Sequence, residues 1–169
     1  NIKLFTEIDK IIFLFLILLG GMVAMKAQEL PQVNVQNPQG KSVSSVSWID
    51  HETPFVVSFW STTCKPCLKE LDALSENYDD WNDEKAFRVI AVSIDDSRSL
   101  ARAKALAAGR GWEMFDVYYD VNSDFKRAMN VSLVPHIFIF DKNGNQIYTH
   151  VGYKPGDEVE LFKIIQGLK

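Results

Sequence analysis

The stretch from Pro54 to Trp81 constrains this chain more than any other. It reads PFVVSFW, then STTCKPC, then LKELDALSENYDDW. A short unbroken apolar run suits a strand buried on both faces. Immediately after it, Leu68, Leu71, Leu74, Tyr78 and Trp81 recur at steps of three and four. That spacing predicts an amphipathic helix from Cys64 to about Asp83. A buried strand that hands over directly to a helix is the opening of a parallel β-α-β arrangement.

The remaining segments extend that arrangement. FRVIAVSI, from Phe87 to Ile94, is a second buried strand, and SLARAKALAAGR is a helix that Ser97 would cap and Gly109 and Gly111 would end. A short strand around Phe115 to Tyr119 and a short helix through DVNSDFKRAMNV follow. HIFIFDKNGNQIYTHVG is two β-rich runs about Asp141-Lys142-Asn143-Gly144, a hairpin. The closing helix GDEVELFKIIQGL carries an apolar stripe of Val159, Phe162, Ile165 and Leu168. Upstream, LPQVNVQNPQGKSVSSVSW alternates about NPQG as strand, turn and strand. The expected fold is α/β: a mixed central sheet flanked by helices, with an N-terminal β-hairpin extension. At 169 residues, 47% of them apolar, the chain has enough material for one domain with a proper core. Its formal charge is −4 with both signs interspersed, and no basic run or aromatic-basic stripe suits nucleic acid.

Residues 1–27 read as a separate segment. Lys3 and Lys10 precede the apolar run from Ile11 to Met25, and Ala24 and Ala27 offer small residues for cleavage before Gln28. Such a run is short for a membrane span and long for the centre of a signal peptide. The expectation is a signal peptide, or else a membrane anchor through residues 11–25, ahead of a folded domain at 28–169. Either places the domain in a periplasmic or otherwise exported, more oxidising compartment, where a disulfide persists.

The two cysteines of the chain, Cys64 and Cys67, fall in one turn at the strand-to-helix junction. A structural staple is a weak explanation, because a four-residue ring contributes only roughly 2 kcal/mol against ~3 for a fifteen-residue loop. A zinc site needs further ligands, and His51, His136 and His150 are scattered. A Cu(I) chaperone using Cys64, Cys67 and His136 remains open, since thiolates suit that ion. A redox pair fits placement as well as spacing. Cys64 at a helix N-terminus would meet free N–H groups and the positive end of the dipole, which favours a thiolate, and Lys65 adds charge. Cys67, one turn in, would be the shielded resolving thiol. Pro66 is tolerated in a first turn.

The stretch FWSTTCKPCLKEL resembles the FWATWCxPCxxE pattern of the TlpA/ResA-like thiol–disulfide oxidoreductases, an exported branch of the thioredoxin superfamily. The resemblance covers residues 30–169 and includes the early hairpin and the VPHIFIFDKNG segment. It implies a thioredoxin-like fold, a Cys64–Cys67 redox disulfide, no organic cofactor and no metal. It also implies a cis proline at Pro135, which would set the backbone of Val134 beside Cys64 to receive a substrate strand. Trp60 is expected beside that substrate contact. Glu70 matches the glutamate three residues after the second cysteine and would move the proton of Cys67. Two departures stand out: Thr63 replaces a tryptophan, and Ser58 stands where thioredoxins proper carry a buried aspartate. The implied partners are exported disulfide-containing proteins, such as apocytochrome c or its assembly factors, and a membrane thiol donor that re-reduces the pair. A peroxiredoxin-type peroxidase is the rival enzyme, because Ser61 lies three before Cys64, although Val57 replaces the upstream proline of such enzymes.

Overall fold

The computed structural model describes residues 28–168. The expected signal peptide or anchor at 1–27 lies outside the described residues. Among these, the strands are β1 (Asn34–Gln36), β2 (Ser42–Ser44), β3 (Phe55–Trp60), β4 (Arg88–Ser93), β5 (Asp116–Tyr119), β6 (His136–Phe140) and β7 (Gln146–Val151). The helices are α1 (Lys65–Glu84), α2 (Leu100–Ala108), α3 (Asp124–Ala128) and α4 (Asp157–Gln166). A 3-10 turn, Ser45–Trp48, follows β2.

The strands form one seven-stranded mixed sheet in the order β2-β1-β5-β4-β3-β6-β7. β3 runs parallel to β4, and β4 to β5, as strand–helix alternation requires. β6 enters antiparallel beside β3 and turns back into β7. The N-terminal hairpin joins through the antiparallel pair of Gln36 with Tyr119, extending the sheet past β5.

β3 lies inside the sheet, and all six of its residues are buried. Because side chains alternate along a strand, it feeds two cores. Val56 and Trp60 join Leu68, Leu71 and Leu74 of α1 and Leu161, Phe162 and Ile165 of α4 on one face. Phe55, Val57 and Phe59 join Trp48, Phe125 and Met129 on the other. This is the thioredoxin-like α/β arrangement, with helices on both faces. No helix among the described residues is long and apolar enough to cross a membrane.

Two local expectations are corrected. α2 begins at Leu100 and not at a Ser97 cap, because Asp96 closes the preceding turn by accepting the N–H groups of Arg98 and Ser99 at 3.1 and 3.2 Å. In α4 the buried stripe is Leu161, Phe162 and Ile165, while Val159 is 43% exposed. Val159 lies two positions before Leu161, roughly 200° around the helix, so both cannot face the sheet.

Candidate redox site

Cys64 and Cys67 are joined by a disulfide with 5.3 Å between their Cα atoms. Cys64 is the N-cap residue of α1, and its sulfur accepts the N–H of Cys67 at 3.2 Å. The sulfur therefore takes the place that a serine or aspartate oxygen commonly fills. It also sits where the unpaired N–H groups favour negative charge. Pro66 falls in the first turn. The two sulfurs differ in access: Cys64 is half-buried and Cys67 is completely buried.

The loop that delivers Cys64 is fastened by a residue the sequence analysis missed. Asp95, buried just beyond the end of β4, accepts the Thr62 N–H at 2.9 Å and the Thr62 hydroxyl at 2.7 Å. The Ser93 hydroxyl donates to it at 2.8 Å. Thr62 is itself buried, two residues before Cys64. A signal existed. Trp60 and Ser93 are partners in a parallel pair, so the residues leaving both strands emerge side by side.

Glu70 lies on the inner face of α1 with Cys67, Leu71 and Leu74, and is only 4% exposed. The Ser58 hydroxyl of β3 donates to its carboxylate at 2.9 Å. Ser58 thus turns the position of an absent strand acid into a hydrogen-bond donor for a helix acid. Burial pushes the Glu70 pKa up to about 8, against the lowering effect of the Ser58 bond, and the negative charges of Asp157 and Glu158 raise it further. At neutral pH this group is mostly a carboxylic acid. It can therefore give a proton before it takes one.

The Val134–Pro135 bond is cis, and Pro135 is buried. Val134 and Cys64 are both partly buried side chains packed on the same core cluster. Leu133, one residue earlier, is 69% exposed. Trp60 corrects the expectation of a substrate contact: it is fully buried, edge-to-face with Trp112 at 5.3 Å, so it offers a partner no surface.

The copper ligand set is not assembled. His136 stacks on Phe138 at 4.3 Å and bonds to the Thr149 hydroxyl at 2.8 Å. Phe138 belongs to the core on the sheet face opposite Cys67. Among the described residues, no group of three or more His, Cys, Asp or Glu is placed to hold a metal ion.

Comparison with known proteins agrees with this geometry. The AhpC/TSA family matches residues 27–148. Thiol-disulfide oxidoreductase ResA of Bacillus thuringiensis (strain Al Hakam) is 26% identical over 133 residues, which is 79% of this chain and 73% of that protein. A thioredoxin-like protein of Porphyromonas gingivalis, known from a solution structure, is 49% identical with a TM-score of 0.72, covering 81% of this chain and 89% of that one. The thioredoxin domain of a thiol-disulfide oxidoreductase from Bacteroides vulgatus shares the fold at 22% identity and a TM-score of 0.65, over 83% of this chain and 97% of that one. A disulfide across one helical turn, in this fold and with these relatives, is the working part of a thiol–disulfide oxidoreductase of thioredoxin type, and the chain belongs to the AhpC/TSA family.

Proposed function

We propose that the protein is an exported reductase of disulfides in partner proteins, with Cys64 as nucleophile and Cys67 as resolving thiol. The observation that carries this reading is the contrast in access within one turn, a half-buried sulfur at the helix start and a fully buried one behind it. The Cys64 thiolate attacks a partner disulfide, forms a mixed disulfide and expels one partner thiolate. Cys67 then loses its proton to the carboxylate form of Glu70, reached once Glu70 has given up its own proton, and attacks the Cys64 sulfur. The second partner thiolate leaves, and the Cys64–Cys67 disulfide holds the oxidising equivalents. A thiol donor at the membrane regenerates the dithiol, and Glu70 returns the proton to Cys67. Val134, ahead of Pro135, offers main-chain groups to a substrate strand. The chemistry uses no metal or organic cofactor. Export rests on the Ile11 to Met25 run, and exported disulfide proteins, apocytochrome c among them, are the partners that reading implies.

Trapping tests the roles. Cys67→Ala should accumulate mixed disulfides with partner proteins, Cys64→Ala should accumulate few, and iodoacetamide should label reduced Cys64 much faster than Cys67 at pH 7. Equal labelling with no trapping by either variant would reduce the pair to a structural link. Direction is read from the reduction potential against glutathione: a value well below about −180 mV supports a reductase, and one near about −120 mV an oxidant.

A thiol peroxidase is the second reading, favoured by the AhpC/TSA match and by Ser61 three residues before Cys64. Against it, the upstream position is Val57, sealed in the core. Hydrogen peroxide should oxidise the reduced protein no faster than it oxidises an ordinary low-pKa thiol. A rate orders of magnitude higher would exchange the two readings.

A further inference from the structure

Glu70 is buried, yet it lines a pocket of about 140 Å³ between α1, β7 and α4. Leu74 and Leu161 form apolar wall, and His150, Asp157, Glu158 and Glu160 contribute the polar lining. His150 and Asp157 lie 3.4 Å apart and are both partly exposed. Neither cysteine lines the pocket, nor does the Val134–Pro135 segment where a partner would dock.

This separation matters for the resolving step. While the mixed disulfide exists, the partner lies over Cys64. Glu70 already holds a proton at neutral pH and must shed it before it can take the one from Cys67, and the front of the site is covered throughout that time. We propose that the pocket is a side port through which Glu70 exchanges its proton with solvent while a partner protein covers Cys64. The proposal rests on the reading of Glu70 as the proton-transfer group. In the resolving step the Cys67 thiol passes its proton to the Glu70 carboxylate, and the Cys67 sulfur bonds to the Cys64 sulfur. The bond from Cys64 to the partner breaks, and its electron pair leaves with the partner thiolate. The proton that crosses the pocket to buffer is the one Glu70 held beforehand, and its loss leaves the carboxylate that accepts from Cys67. Every element packed around Glu70 contributes to the environment of that proton: Ser58 from β3, Tyr148 and His150 from β7, and Asp157, Glu158 and Glu160 from α4. Tyr153, on the turn before α4, bonds Glu158. Three carboxylates at the port disfavour entry of an anion and tolerate a neutral base.

Chemical rescue tests the port. Glu70→Ala joins the vacated side-chain volume to the pocket, and a cavity of ~150 Å³ is enough for a benzene-sized ring. Release of reduced product in a single turnover should slow about 10²-fold in this variant, a typical loss for a removed acid–base group. Added imidazole, which titrates near neutrality as a histidine does, should restore about 10-fold or more with saturation. Formate should restore less. Glu70→Gln, which leaves the volume filled, should not respond to imidazole. The deciding comparison uses two substrates, insulin as a disulfide protein that covers the front and oxidised glutathione as one that does not. A side port requires equal rescue with both, and rescue confined to glutathione overturns it. Asp157→Asn with Glu158→Gln, placed in the Glu70→Ala background, should raise formate rescue several-fold, and no change also overturns the port. Glu70→Ser, which leaves a small hydroxyl in the vacated space, opens nearly the same volume if the alanine variant does not fold. A Glu70→Ala protein as fast as wild type removes the proton-transfer reading and the port together, whereas a slow variant without rescue removes the port alone.

Discussion

Two carboxylates stand buried on either side of the redox turn, and they are built differently. Asp95, on the loop side of Cys64, receives two donors from Thr62 and one from Ser93. Glu70, on the helix side of Cys67, receives one hydroxyl, from Ser58, and faces three further carboxylates across a pocket. Burial alone does not assign a role to an acid. A carboxylate surrounded by donors fastens backbone, because every donor would be stranded without it. One with a single donor and like charges nearby is free to change its protonation state, and that is the property proton transfer requires.

The largest predicted effect belongs to Glu70. Its raised pKa means the folded protein keeps a proton that the unfolded chain releases, from about 4.5 up to about 8. The stability this contributes is complete below about pH 4.5 and disappears as pH rises through about 8. Denaturant unfolding of the oxidised wild type should therefore lose about 4 kcal/mol more between about pH 5 and pH 9 than Glu70→Gln does. In kinetics, Glu70→Gln should slow reduction of the disulfide by an incoming thiol about 10²-fold below pH 8, where Glu70 is the acid that meets the departing Cys67 thiolate. The difference should close above pH 8, when the wild type has lost that proton too. Parallel pH profiles for the two proteins would place Glu70 with Asp95 as a structural acid.

Asp95→Ala comes next. It strands two hydroxyl donors and one backbone N–H in the interior, and the expected loss is about 2–4 kcal/mol. Chemical denaturation at two pH values measures it, and a loss that follows the Glu70 profile would break the comparison. The smallest effect is Thr62→Val, which keeps shape and the N–H bond to Asp95 but deletes the hydroxyl bond. It should cost about 1 kcal/mol and leave the pH profile of turnover unchanged.

Legibility in the sequence followed the range of the interactions. The hand-over from β3 to α1 and the β6–β7 hairpin are written in local apolar spacing and turn residues, and the structure contains them. Cys64 at the helix start could be read the same way, because a cap involves residues within one turn. The stripe of α4 was mis-phased at Val159, since a helix with apolar residues at 159, 161, 162, 164, 165 and 168 admits more than one face. Trp60 looked adjacent to the site by number, but strand alternation drove it inward against Trp112. His136 follows Pro135 directly, and that same alternation turned it toward Phe138, away from the face that buries Cys67.

By itself the sequence determined the order of strands and helices, the junction at which both cysteines fall, and the chemistry that junction supports. These depend on periodicity and on neighbours a few positions apart. Only the tertiary structure decided which acid fastens the loop and which is left to move a proton. Thr62 meets Asp95 across 33 positions, and Glu70 meets Ser58 across 12. Asp157 and Glu158 reach the same pocket from the far end of the chain. A carboxylate's environment is the sum of donors, charges and excluded water around it, and residues distant in the chain supply most of that sum.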